Sequence, residues 1–84
     1  MVILTYLENG NIQVSNGAGL DLEITKPDLG DESWRISFVG LEVATCNSEG
    51  RAKDIASVVC LQCPSGNIET MRQLALSHTN RMFF

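Results

Sequence analysis

Two cysteines three residues apart form the stretch of this chain whose residue types most resemble a chemical site. Leu61 and Gln62 separate Cys60 from Cys63, and Pro64 follows at once. Thiolates at this spacing converge within one turn of backbone, so such pairs are common in zinc sites and in redox proteins. The same thiols can instead fill a hydrophobic core, which is the usual place of a free cysteine. The residues around the motif must decide between these roles.

A zinc site needs two more ligands, and the sequence offers one on each side of the pair. Cys46 lies fourteen residues before Cys60, and His78 lies fifteen residues after Cys63. A small zinc-binding protein that uses Cys46, Cys60, Cys63 and His78 is therefore one alternative. A single pair of this spacing is a weak signal, so we predict that the cysteines belong to the core and that the chain holds no metal and no cofactor.

Redox and nucleophilic chemistry have less support. A thioredoxin-type pair sits near the start of a βαβ unit with a lowered thiol pKa, whereas here it follows a series of strands and has no basic neighbour in the sequence. His78 is the only histidine, and catalysis would need Cys46, Cys60 or Ser65 beside it. The glycines match no nucleotide-binding pattern. We therefore predict a protein without catalytic residues.

The first half of the chain alternates polar and apolar residues with the period of β-strands. Residues 2–8 and 11–15 flank an Asn-Gly pair at positions 9 and 10, which is typical of a two-residue type I′ hairpin. That turn would place Leu7 opposite Ile12 on one face of the sheet. Apolar residues at 20, 22 and 24 predict another half-buried strand, and residues 26–33 read as an exposed loop.

Apolar residues change from even to odd positions at Gly40. Such a change predicts a β-bulge or a tight hairpin there. Residues 34–45 are therefore either one bulged strand or two short strands. Both arrangements keep their apolar side chains on one face of the sheet.

The period becomes helical after Cys46. Asn47 or Ser48 can cap a helix over residues 49–62, which Pro64 would bring to an end. A competing interpretation makes residues 58–62 a fifth strand that enters a Pro-Ser-Gly turn, and this would make a metal site more credible. Asn67 can cap a second helix near residues 67–79.

These elements predict one α+β domain over residues 1–84. It has an antiparallel sheet of four to five strands, within residues 2–45, followed by one or two C-terminal helices, about 49–62 and 67–79, packed on one face. An apolar share of 44% fits a globular chain. The longest purely apolar run is four residues, and the first residues lack the charged start of a secretory signal, so we expect a cytoplasmic protein without membrane contact.

Charge is distributed unevenly along the chain. Eight of the ten acidic residues lie in residues 1–50, where Lys26 and Arg35 are the only basic ones. An acidic surface repels phosphate, which speaks against direct nucleic-acid binding. It favours a non-catalytic protein-binding module of inhibitor or adaptor type. A phage or mobile-element protein that blocks a host nucleic-acid-processing complex would be one example.

Its partner would be a larger protein or protein complex, bound through acidic residues and a C-terminal aromatic pair. The predicted partner-binding residues are Asp21, Glu23, Asp28, Asp31, Glu32, Glu42, Phe83 and Phe84. The aromatic pair can instead fold back onto the domain's own core.

The first strand suggests a homodimer as a third alternative. Val2, Leu4 and Tyr6 lie on the opposite face from Ile3 and Leu7. A strand that is apolar on both faces must be covered by a helix or by another chain.

Overall fold

Five antiparallel strands followed by two helices make up the part of the chain that the structure describes, which confirms the predicted α+β class. The computed structural model describes residues 2–17, 20–30, 33–63 and 66–82, with side chains as far as residue 78. The strands are neighbours in the order in which they follow one another in the chain. The elements are β1 (Ile3–Tyr6), β2 (Ile12–Ser15), β3 (Asp21–Thr25), β4 (Trp34–Phe38), β5 (Leu41–Cys46), α1 (Glu49–Gln62) and α2 (Ile68–Met82).

Both helices pack on the same side of the sheet. Helix α1 lies across β2, β3, β4 and β5, whereas α2 packs against α1 and β5. Alternate strand residues point into this interface and are buried, as the period-2 pattern predicts. The strands supply Ile12, Val14, Leu22, Ile24, Ile36 and Val43 to the core, and the helices supply Ala52, Ile55, Ala56, Val59, Cys60, Met71 and Ala75. Leu20 just before β3 and Cys63 just after α1 complete it.

The first hairpin differs from the predicted one by a single residue of register. Tyr6, not Leu7, lies opposite Ile12, and the Leu7 amide donates to the Asn11 carbonyl at 2.8 Å. Only Gly10 has a positive φ, of 90°, so the connection is a three-residue turn with glycine in the left-handed position. The Asn9 side chain accepts the Asn11 amide at 3.0 Å and stabilises this turn. A shift of one residue exchanges the two faces of β1, so Leu4 and Tyr6 lie on the helix side.

The change of parity at Gly40 marks a tight hairpin, and a bulge follows it. Val39 and Gly40 both have positive φ, of 50° and 79°, as a type I′ turn requires. The strands then pair Ser37 with Glu42 and Ile36 with Ala44, which leaves Val43 as the extra residue. Residues 34–45 are therefore two short strands, one of them bulged.

Residues 58–62 belong to helix α1, so the interpretation of this stretch as a strand is wrong. Ser48 caps the helix by accepting the Arg51 amide at 3.2 Å. Asn67 caps α2 in the same way through its bonds from the Glu69 and Thr70 amides. Neither of these helices, over the residues described, is long and apolar enough to cross a membrane.

Candidate functional site

Cys60 and Cys63 are part of the hydrophobic core. Both side chains are at most 2% exposed. Cys60 lies on the buried face of α1, and Cys63 is the residue that caps its C-terminus, where its amide donates to the Val59 carbonyl. The Cys60 thiol donates to the Val14 carbonyl at 3.7 Å, and the Cys63 thiol donates to the Asn67 carbonyl at the same distance. Burial, with a smaller effect from the charge of Asp21, raises the pKa of Cys60 to about 11. This thiol stays protonated at neutral pH, and a protonated thiol is a poor nucleophile.

The four residues of the alternative zinc set are not brought together. Cys46 is half-buried at the end of β5, with its thiol beside the carbonyls of Trp34 and Ser48, and burial raises its pKa. His78 lies in a groove of about 320 Å³ between the two helices, and none of the cysteines lines that groove. Among the described residues, which include all four, no three Cys, His, Asp or Glu side chains cluster closely enough to hold a metal ion.

The predicted acidic residues have a clearer common location. Asp21 and Glu23 are exposed on β3, while Leu22 between them is buried under the helices. Glu23 pairs with Ser37 across β3 and β4, and Ser37 pairs with Glu42 across β4 and β5. Directly paired residues of antiparallel strands point to the same face. Three of the predicted carboxylates therefore share the side of the sheet that faces away from both helices, which we call the open face.

The open face contains a shallow concavity of about 380 Å³. Its lining includes Gln13, Asp21, Glu23, Ser37 and Val39. The Glu23 carboxylate accepts a hydrogen bond from the Asn11 side chain at 3.2 Å, which limits the orientations that it samples. The concavity combines two carboxylates, two neutral polar side chains and one exposed apolar side chain at its rim.

Of the remaining predicted partner-binding residues, the structure describes Asp28 alone. Asp28 lies in the exposed loop after β3, away from the strand positions that form the open face. Asp31, Glu32, Phe83 and Phe84 lie outside the described residues.

Two open-face residues were missed from the sequence. Val39 is 82% exposed at the rim of the concavity. The sequence feature that could have identified it was the tight hairpin predicted at Gly40. Arg35 pairs with Thr25 and Thr45 on the open face and brings a positive charge to its far end. Among the described strand positions of the open face, Arg35 is the one basic residue, so the three carboxylates outnumber it.

The helix layer has no excess of acidic over basic residues. From residue 49 to residue 78, three acidic residues are matched by three basic ones, and two i,i+3 or i,i+4 ion pairs join Lys53 to Glu49 and Arg72 to Glu69. Among the described strand positions, the open face therefore carries three carboxylates against Arg35, so part of the negative excess of the first half of the chain lies on this face.

Comparison with known proteins leaves the geometry as the basis for assigning a function. No family model matches the sequence, and no curated protein or solved structure resembles it significantly.

Proposed function

We propose that the protein is a non-catalytic binding module that attaches to a basic surface of a larger protein through the open face of its sheet. The observation that carries this proposal is the convergence of Asp21, Glu23 and Glu42 on a face that neither helix covers. Sheet faces in α+β domains are available for recognition when helices occupy the other side only.

The three carboxylates are close enough to act as one charged patch. Glu23 and Glu42 are separated by two strand spacings, or about 10 Å, and Asp21 lies about 7 Å along β3 from Glu23. The Debye length is about 8 Å at physiological ionic strength. An approaching lysine or arginine therefore experiences more than one of these charges at once, which favours encounter with basic surfaces and repels nucleic-acid phosphate.

The neutral part of the face adds contacts of other kinds. Gln13 and Ser37 offer donors and acceptors between the carboxylates, and Val39 offers an exposed apolar contact at the rim. A basic side chain carries a long aliphatic stem, which packs on an apolar neighbour while its charged end meets a carboxylate. This combination suits a protein surface that is rich in lysine or arginine.

Within this class we propose an inhibitor or adaptor that acts in the cytoplasm. Proteins that process nucleic acid carry basic surfaces, and an acidic sheet face is complementary to them. A small phage or mobile-element protein that blocks such a host complex fits the size and charge of the chain. This part of the proposal rests on analogy with a class of proteins.

The proposal is tested by neutralising the patch without altering its shape. Host proteins retained by the immobilised wild-type protein are identified by mass spectrometry, and the dissociation constant of the purified partner is measured by interferometry. The double variant D21N/E23Q is expected to bind about 2- to 30-fold more weakly, at ~0.2–1 kcal/mol for each exposed charge pair. Wild-type affinity should also fall as salt rises from 50 to 500 mM.

The matched control is E8Q/D54N, which changes the net charge equally but lies off the open face. It should bind within twofold of wild type. Equal weakening by both double variants would show that only net charge matters. An affinity that ignores both salt and D21N/E23Q would refute the proposal.

A further inference from the structure

The two edges of the sheet differ in how well they are protected. Strand β1 forms one edge, and all four of its residues are exposed. Its exposed apolar side chains include Ile3 at 43%, Leu4 at 39% and Tyr6 at 62%. Among the described elements, β2 is the one against which β1 packs extensively. An edge strand that is apolar on both faces and uncharged is a template for another strand.

Strand β5 forms the other edge and carries several features that block pairing. Helix α2 packs along it, and the bulge at Val43 interrupts its regular spacing. Arg72 Nε donates to the Glu42 carbonyl at 3.0 Å, which occupies an acceptor on the free side. Bulges, charges and covering helices are the usual protection of an edge strand. Strand β1 has neither proline nor charge in Ile3–Tyr6, so the unprotected edge is β1.

The hydrogen bonding of the first hairpin defines which β1 groups face outward. The Leu7 amide bonds to the carbonyl of Asn11, just before β2, and backbone groups of an antiparallel strand alternate between its two sides. The amides and carbonyls of Thr5 and Ile3 therefore point toward β2, as those of Leu7 do. Those of Val2, Leu4 and Tyr6 point toward the free edge.

We propose that β1 pairs with β1 of a second copy of this chain, antiparallel and about a two-fold axis perpendicular to the sheet. Facing residues must share a side of the sheet, and the outward-pointing groups must meet. Centring the axis on Leu4 satisfies both conditions. Leu4 then lies opposite Leu4 of the second copy, and Val2 lies opposite Tyr6, which allows six backbone hydrogen bonds between the chains by the alternation rule.

A second copy is the occupant that this edge suits best. In this register Leu4 meets Leu4, Val2 meets Tyr6, and Ile3 meets the uncharged Thr5. The pairing is self-complementary because the strand holds no charge that would face its own copy. The cation next to β1 is already engaged, because Lys53 donates to the Tyr6 hydroxyl at 3.1 Å and pairs with Glu49. A contact of one short strand is smaller than the roughly 1,600 Å² of a standard interface, so a weak dimer with a micromolar dissociation constant is expected.

The dimer would extend the sheet to ten strands with all helices on one side. The two open faces would lie side by side on the other side and present two acidic patches to one partner. The pairing itself depends on β1 alone and is independent of what the open face binds.

Sedimentation velocity of the full chain from 5 to 500 µM tests the pairing. Wild type should pass from monomer to dimer in this range, whereas L4K and L4E should each stay monomeric, since like charges would then face each other across the axis. An equimolar mixture of L4K and L4E should recover the dimer. The control variant L41K alters an exposed leucine on the protected edge and should dimerise like wild type. Circular dichroism verifies that each variant is folded.

Three results would overturn the proposal. Wild type that stays monomeric at 500 µM would exclude the dimer. Dimers of L4K as tight as those of wild type would place the interface elsewhere. Failure of the folded L4K and L4E variants to associate would exclude the two-fold axis at Leu4.

Discussion

Replacing Val39 with asparagine should make the protein more stable, although it removes an apolar side chain. Val39 has a φ of 50° and is followed by Gly40 at 79°. A left-handed conformation costs an ordinary L-residue about 1–2 kcal/mol, and a β-branched residue is a marked outlier there. Asparagine tolerates this region, and Asn-Gly is the preferred pair for a type I′ hairpin.

The expected gain follows from setting this relief against the lost burial. Val39 is 82% exposed, so less than a fifth of its possible burial is lost, or about 0.3–0.5 kcal/mol of the ~1.5–3 kcal/mol for a fully buried side chain. The net stabilisation by V39N should be about 1 kcal/mol, which corresponds to a rise in Tm of about 4–8 °C for a chain of this size. Glycine relieves the strain too but gives the unfolded chain more freedom, so V39G should gain about half as much.

Urea denaturation followed by circular dichroism measures these free energies of unfolding. The β-branched variant V39T is the matched control, since it keeps the strain and should lie within about 0.3 kcal/mol of wild type. The expected order of stability is V39N, then V39G, then wild type together with V39T. A V39N variant no more stable than V39T would refute the reasoning about strain at this turn.

Two further predictions concern Cys60 in the core and Gly66 before α2. The folded state keeps the Cys60 proton up to a pKa of about 11 against an ordinary value of 9.0, so this thiol's contribution to stability is complete below pH 9 and lost as pH rises toward 11. Cys60→Ala should flatten that part of the pH profile of unfolding free energy, and an unchanged profile would contradict the assignment. Gly66→Ala should destabilise the protein by at least about 1 kcal/mol more than Gly30→Ala. Both glycines have positive φ, but only at Gly66 would the new Cβ meet the Phe38 ring, at 3.2 Å. Equal losses measured by urea denaturation would show that this contact is relieved without cost.

The helices could be predicted because several independent signals agreed. Apolar spacing, a cap at Ser48 and the break at Pro64 all pointed to α1, and the burial of Cys60 and Cys63 followed from the same spacing. The packing of both cysteines in the core could therefore be predicted from the sequence.

The register of the first hairpin could not be predicted from the sequence. An Asn-Gly pair fits both a two-residue turn and a three-residue turn, and the bond from the Asn11 amide to Asn9 favours the second. The apolar pattern could not decide, because β1 is apolar on both faces and either register buries a similar set of side chains.

The acidic face was predicted only in part. The alternation in β3 placed Asp21 and Glu23 opposite Leu22. Glu42 joins them because the Val39-Gly40 hairpin sets it across from Ser37. This pairing depends on a turn with valine at positive φ, which sequence preferences disfavour.

Mapping the bound partner on the protein by NMR tests the central claim most directly. The ¹⁵N-labelled protein is titrated with the purified host partner, and amide shift changes are followed residue by residue. Binding through the open face predicts the largest changes at Gln13, Asp21, Glu23, Ser37 and Glu42, with little change on the solvent side of α1 and α2. Changes concentrated on the helices, with the open face unaffected, would contradict the account.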